Sequence, residues 1–251
     1  MKLIYFCLAI VFATTACSGD GPEIEVPYEV KVNLDPGMTP DLLDEITAGA
    51  QKIDQRTSTF YKVLGAAPNS IAIVRVRRTA KKSDVTVKLR GIHELAPSML
   101  SSTTLDLEGI DFEWDAKLDD TSQGSLSADI KIDHADVTFS TDGATVRELL
   151  TESQRELLAI GARRPFSALT LFECPGVTAT LYKELTPPPS GCDEATFEVW
   201  PFSDGTVYEL SCNTETLEPA RDGLRAAMLE VNAVASPDQR GKTERSLALC
   251  P

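Results

Sequence analysis

Between residues 110 and 132 apolar and polar side chains alternate, and few folds satisfy that period. Ile110, Phe112, Trp114, Ala116 and Leu118 are apolar, with Asp111, Glu113, Asp115 and Lys117 in the gaps. After a polar turn at 120–124, Leu126, Ala128, Ile130 and Ile132 alternate with Ser127, Asp129 and Lys131. Successive side chains of a strand point to opposite faces, so the stretch predicts an antiparallel hairpin with one buried and one wet face. The phase slips by one residue at His134-Ala135, after which Val137 and Phe139 carry it. Such a slip predicts a β-bulge.

The same period marks strands over 28–34, 71–78, 85–90, 166–172, 177–185, 197–202 and 206–211, with hairpin turns at 80–83 and 203–205. Helical spacing appears in three places. Thr39-Pro40 supplies a cap and a first-turn proline, and Leu43, Ile46, Ala50, Ile53, Phe60 and Leu64 predict a helix over 40–64, stopped by Gly65. Thr145 and Glu148 form a capping-box pattern opening a helix to about 160, with a restart available at 151–154. Thr216 and Pro219 open a last helix that Pro237 stops, and 236–245 reads as a polar tail. These elements predict an α+β fold, a mostly antiparallel sheet built from hairpins with about three helices packed on one face. The expected divisions are 1–16, 17–26, 27–161 and a disulfide-stapled 162–251, the last two being separate parts or one continuous domain.

Charge is unevenly placed. Arg75, Arg77, Arg78, Lys81, Lys82, Lys88 and Arg90 face one local acid, Asp84, inside a chain of net charge −14. From 106 to 142 there are eleven acids against Lys117 and Lys131. The basic stretch offers contacts to an anionic partner. The alternative is pairing with the acidic strands across a sheet, each pair contributing ~0.2–1 kcal/mol. The overall acidity excludes a nucleic-acid surface.

Motifs of chemistry are sparse. His93-Glu94 lacks the second histidine of a zinc-protease helix. His134, in Asp133-His134-Ala135-Asp136 at the expected bulge, is the candidate catalytic group, with Asp133 and Asp136 as its carboxylates. Asp111, Glu113 and Asp115 share a strand face, but the glycine and distant glutamate of a calcium loop are missing. No phosphate-binding glycine loop, nucleophile elbow or Cys-x-x-Cys pair occurs. No metal and no cofactor are expected.

The start of the chain has its own character. Lys2 precedes an apolar run, 3–13, too short to cross a bilayer, which takes ~20 helical residues. Thr14-Thr15-Ala16-Cys17 follows as a small-residue cleavage region. This segment resembles a bacterial lipoprotein signal, and the resemblance covers residues 1–17 only; none is found for 18–251. Thr14 stands where that pattern carries an aliphatic residue, which leaves ordinary signal-peptidase cleavage as the alternative. The resemblance implies acylation of Cys17, a membrane partner through that lipid, and, from Ser18 by analogy, an outer-membrane address. Discarding residue 7 and acylating residue 17 leaves Cys174, Cys192, Cys212 and Cys250, enough for two disulfides. Three pairings are open, and Cys174–Cys192 with Cys212–Cys250 is preferred because each closes a local loop.

The leading functional expectation is a non-catalytic cell-envelope lipoprotein acting through protein or lipid contacts. Two others stay open: a carrier holding an apolar ligand between sheet and helices, and a hydrolase using His134.

Overall fold

The computed structural model describes residues 27–80, 82–90, 110–119, 122–133 and 141–251. Ten strands occur among them: β1 (Tyr28–Leu34), β2 (Ala50–Leu64), β3 (Ala72–Arg78), β4 (Lys82–Arg90), β5 (Ile110–Lys117), β6 (Ser122–Asp133), β7 (Thr170–Glu173), β8 (Val177–Leu185), β9 (Glu194–Phe202) and β10 (Gly205–Thr214). The described helices are α1 (Pro40–Thr47), α2 (Gly143–Leu149), α3 (Glu152–Ala162), α4 (Leu217–Glu230) and α5 (Lys242–Ala248), with a 3-10 turn at Phe166–Ala168.

The strands form one mixed, mostly antiparallel sheet in the order β3-β4-β6-β5-β1-β10-β9-β8-β2-β7. β2 also pairs with β3, Thr57 to Tyr61 opposite Arg78 to Val74, so the sheet curls back on itself. The parallel pair is β1 with β5, which sets Glu29 opposite Asp115. Every other described pairing is antiparallel, including the consecutive strand pairs β3–β4, β5–β6, β8–β9 and β9–β10.

Alternation assigns the two faces of this curl. The outer face is apolar and the helices cover it. Val74, Val76, Val85, Val87 and Leu89 pack under Leu157, Leu158 and Ala162 of α3. Val30, Val32, Leu210 and Phe197 pack under Leu224 and Met228 of α4, with Leu42, Leu43 and Ile46 of α1 at the margin. Gly223 of α4 lets the helix approach this close: a Cβ there would overlap the backbone carbonyl of Ser190. Gln154 joins α3 to the sheet, donating from Nε2 to the Val85 carbonyl at 2.8 Å while closing a capping box with Thr151.

The polar residues of the same strands turn inward, and one end of the interior has an apolar floor of Val177, Ala179, Leu181, Trp200, Phe202 and Val207. Leu249 packs onto that floor, so α5 crosses this end of the curl.

Two expectations change. The helix over 40–64 ends at Thr47, and residues 50–64 form the longest strand. Ile53 and Leu64, two of the positions that suggested a helical stripe, are 64% and 43% exposed. Phe60 of that stripe is buried, but so are its neighbours Ser58, Thr59 and Tyr61, in the run 57–61 that meets β3. The disulfides are Cys174–Cys250 and Cys192–Cys212, not the pairing chosen for short loops. Strand register decides this: the β9–β10 hairpin places Cys212 opposite Ala195, within reach of Cys192 just upstream. The bulge expected at 134–135 lies outside the described residues.

Candidate functional site

The interior carries two linked charge clusters. The first gathers side chains from three separated segments of the chain. Glu29 and Lys31 come from β1, Lys88 and Arg90 from β4, Glu113 and Asp115 from β5. Lys31 Nζ bridges Glu29 at 2.5 Å and Asp115 at 2.8 Å. Lys88 donates to Glu113, and its Nζ is 3.5 Å from Asp115 Oδ2. Arg90 Nε is also 3.5 Å from Oδ2. Neither approach is a hydrogen bond, and Oδ2 is a buried carboxylate oxygen with no hydrogen-bond partner. One oxygen from each of Glu29, Glu113 and Asp115 falls within 4.8 Å of the others.

These contacts set the protonation. Burial favours neutral Asp115, but Lys31, Arg90 and Lys88 outweigh it and hold the carboxyl well below the usual range. Burial also opposes the Lys31 charge, yet Glu29 and Asp115 raise its pKa above the ordinary amine value. For Lys88 burial wins and, with Lys31 and Arg90 nearby, lowers the pKa. All three shifts follow from desolvation set against neighbouring charges.

The second cluster lies toward the floor. Lys242 of α5 donates to Glu198 at 2.6 Å and Glu209 at 2.7 Å, the two carboxylates standing opposite each other on β9 and β10. Arg56 of β2 reaches Glu198 at 2.9 Å, and Trp200 Nε1 donates to the same carboxylate at 2.7 Å. Burial raises the Glu198 pKa, but Lys242 and Arg56 bring it below its ordinary value. A cavity of about 180 Å³ is lined by Glu29, Arg56, Lys183, Glu194, Glu198 and Ser211 among others, a charged wall rather than an apolar one.

The expected sites fall as follows. The basic stretch is not a surface handle along its length. Lys88 and Arg90 turn into the first cluster, Arg77 pairs with Asp84 at 2.7 Å, Arg75 donates to Thr86 at 3.3 Å, and Lys82 is exposed. Lys81, His134, Asp136 and Cys17 lie outside the described residues, as does the side chain of Asp133. Glu113 and Asp115 are joined by Glu29, while the side chain of Asp111 lies outside the described residues. Sequence reasoning passed over Glu29, Lys31, Glu198, Glu209 and Lys242. Their one signal is that they fill the polar gaps of apolar strands, or, for Lys242, interrupt nothing at all.

A curled, mostly antiparallel sheet with helices packed against one face is a fold that solved structures share. One is HpAC1 from Hippeastrum, assigned as an adenylyl cyclase and described as having a dominant triphosphatase activity. It is 15% identical over 86% of this chain and 93% of its own, with a TM-score of 0.56. A protein from Bacillus halodurans, assigned as an adenylate cyclase, is 10% identical over 88% of this chain and 96% of its own, with a TM-score of 0.55. No family model matches the sequence, and no curated protein does.

These findings correct the leading expectation. A non-catalytic contact protein gives way to a fold that carries triphosphatase activity in the Hippeastrum protein, with an acidic triad inside it. The envelope assignments implied by the leader give way with it, namely lipoprotein character, a membrane partner through Cys17, an outer-membrane address and an envelope protein or lipid partner, while residues 1–17 themselves lie outside the described residues. No helix among the described residues is long and apolar enough to cross a membrane.

Proposed function

We propose that this chain is a divalent-cation-dependent phosphohydrolase that cleaves a triphosphate group, inorganic or carried by a nucleoside. The observation that carries the reading is Asp115. Its Oδ2 is buried without a hydrogen-bond partner, with Lys88 Nζ and Arg90 Nε at 3.5 Å, and one Asp115 oxygen lies within 4.8 Å of an oxygen each of Glu29 and Glu113. A buried carboxylate oxygen whose cations stand only at ion-pair distance keeps its hydrogen-bonding capacity for a ligand. Hard carboxylate donors fit a hard divalent cation, and Glu29, Glu113 and Asp115 would hold it. When bound, such an ion polarises a phosphoryl oxygen and offsets developing charge. Likeness to HpAC1, described as a triphosphatase, supports the choice of reaction.

The chain's own residues then do three things. Lys31, Lys88 and Arg90 exchange carboxylate partners for phosphoryl oxygens, so each keeps a negative neighbour. The three carboxylates, freed of those cations, keep a positive one. A cation–triphosphate complex brings both signs together, so no charge in this interior is stranded when it enters. The curled sheet limits water around the reacting group, which strengthens these contacts. Attack of water on the terminal phosphorus breaks one P–O bond and yields phosphate and the shortened chain.

The test is phosphate release from tripolyphosphate and ATP with Mg²⁺ or Mn²⁺, with chelator controls. Glu29→Gln should lower the metal-dependent rate on the order of a hundredfold, and Arg90→Ala should raise KM more than it lowers kcat. Wild type that neither binds Mn²⁺ nor releases phosphate from either compound refutes the reading.

A further inference from the structure

The C-terminal residues 236–250 form a strap across the floor end of the curl, and nothing in the phosphohydrolase reading requires them to be fastened as they are. Three attachments hold them, and Arg245 of α5 adds ion pairs to Asp238 at 2.6 Å and to Asp204, in the β9–β10 turn, at 3.7 Å. At the near end, Asn33 at the end of β1 donates through Nδ2 to the carbonyls of Asp238 and Arg240, and Gln239 both accepts from the Asn33 amide and donates to its carbonyl. In the middle, Lys242 enters the interior between Glu198 and Glu209, its Nζ 5.2 Å from the Trp200 ring. At the far end, Leu249 covers the apolar floor and Cys250 is bonded to Cys174. Gly241 also lies close to Arg90: a Cβ there would be 3.7 Å from Nη1.

The middle and far attachments depend on each other. α5 has seven residues, well under the ~12–15 at which an isolated helix becomes even marginally stable. Its position comes from tertiary contacts and from the disulfide, which ties residues 76 apart in sequence. Seating Lys242 places an ammonium against two buried carboxylates, which is unfavourable unless the geometry is held. The Asn33 attachment keeps residues 236–240 in place whether or not the far end is fastened.

We propose that residues 241–250 are a redox-fastened gate. With Cys174–Cys250 closed, Lys242 and Leu249 shut this end of the interior. With the bond reduced, the segment swings on residues 236–240, withdraws Lys242 from Glu198 and Glu209 and exposes Trp200 to solvent. The chemistry is thiol–disulfide exchange with a dithiol reductant. The S–S bond takes two electrons and two protons to become two thiols, and the dithiol closes to its own disulfide. Cys192–Cys212, which staples the β9–β10 hairpin, is not part of the gate.

The test uses the full chain carrying Trp114→Phe, so that Trp200 is the remaining tryptophan of two. Cys174→Ser with Cys250→Ser removes one disulfide and leaves the other. Amide exchange in 242–250 should rise at least about tenfold, with 28–34 and 194–214 unchanged, because only the gate opens. Acrylamide quenching of Trp200 should increase in parallel, and brief dithiol treatment of the unsubstituted cysteines should reproduce both changes. Unchanged exchange in 242–250 overturns the proposal. So does faster exchange there with Trp200 still shielded, and so does a uniform rise that includes the strands. None of these readouts depends on phosphate chemistry, so failure here and failure of the phosphohydrolase reading are separate results.

Discussion

Asp115→Asn tests the physical core of the site without any ligand. The substitution keeps shape and removes one charge from a side chain that is 8% exposed. In the folded protein that charge faces Lys31 at 2.8 Å and Lys88 and Arg90 at 3.5 Å each. At an effective dielectric of about 20, one pair near 3 Å attracts by on the order of 5 kcal/mol before desolvation is counted. Desolvation removes most of that gain, and the measured cost of deleting one partner of a buried pair is ~3–5 kcal/mol. Glu29 and Glu113 remain beside Lys31 and Lys88, so the expected loss is at the lower end, about 3 kcal/mol.

The pH dependence gives the sign. The Asp115 pKa is depressed in the folded state, so its stabilisation is present above the unfolded value, roughly 3.9. It is lost only as pH falls through the lower folded value. Urea unfolding of wild type and variant should therefore show a constant difference from neutral pH down to about pH 5. The difference should narrow only below about pH 4. A loss under about 1 kcal/mol, the size of an exposed ion pair, would refute the claim that this network is buried and coupled. A difference already gone near pH 5 would refute the depressed pKa.

Two further substitutions address the outer face. Gln154→Leu removes the bond to the Val85 carbonyl and opens the capping box with Thr151. The unfolding free energy should fall by about 2 kcal/mol, from one unsatisfied buried carbonyl and one lost cap. Gly223→Ala would raise intrinsic helix stability by up to ~1 kcal/mol in an open helix. Here the new Cβ meets the Ser190 carbonyl, and thermal melts should show a net loss of about 1–2 kcal/mol from overpacking.

Strands were legible and enclosure was not. Tyr28–Leu34 and Val177–Leu185 are found at the residues that alternation marks, because period-two patterning is a direct imprint of a two-faced sheet. Alternation names a wet face without saying whether water or the rest of the sheet lies opposite it. On β4 the wet face is the interior, so Lys88 and Arg90, which looked like an outward handle, meet Glu113 and Asp115 of β5 with β6 running between the two strands. Residues 40–64 failed for a different reason. Leu43 and Ile46 do lie in α1 behind the Thr39 cap, but Ala50, Ile53, Phe60 and Leu64 continued the helical spacing by chance, while 57–61 carried β propensity that tertiary pairing with β3 and β8 realised.

The site itself illustrates what pattern reading can and cannot reach. Glu113 and Asp115 are two residues apart on one strand, and their shared face follows from the chain alone. Glu29 is more than eighty residues away and joins them through the parallel pairing of β1 with β5. Hairpins set antiparallel neighbours by turn length, but no local signal sets a parallel neighbour, because a parallel pair needs a long connection between its strands. Lys242 is less visible still, since a lysine in a polar tail has no pattern to break. It becomes informative only when Cys250 is known to join Cys174, which fixes the tail against the floor, and when Glu198 and Glu209 are known to oppose each other. The disulfide pairing therefore carries more functional content than any motif here, because it decides whether the acidic pair near the floor faces an ammonium of its own chain.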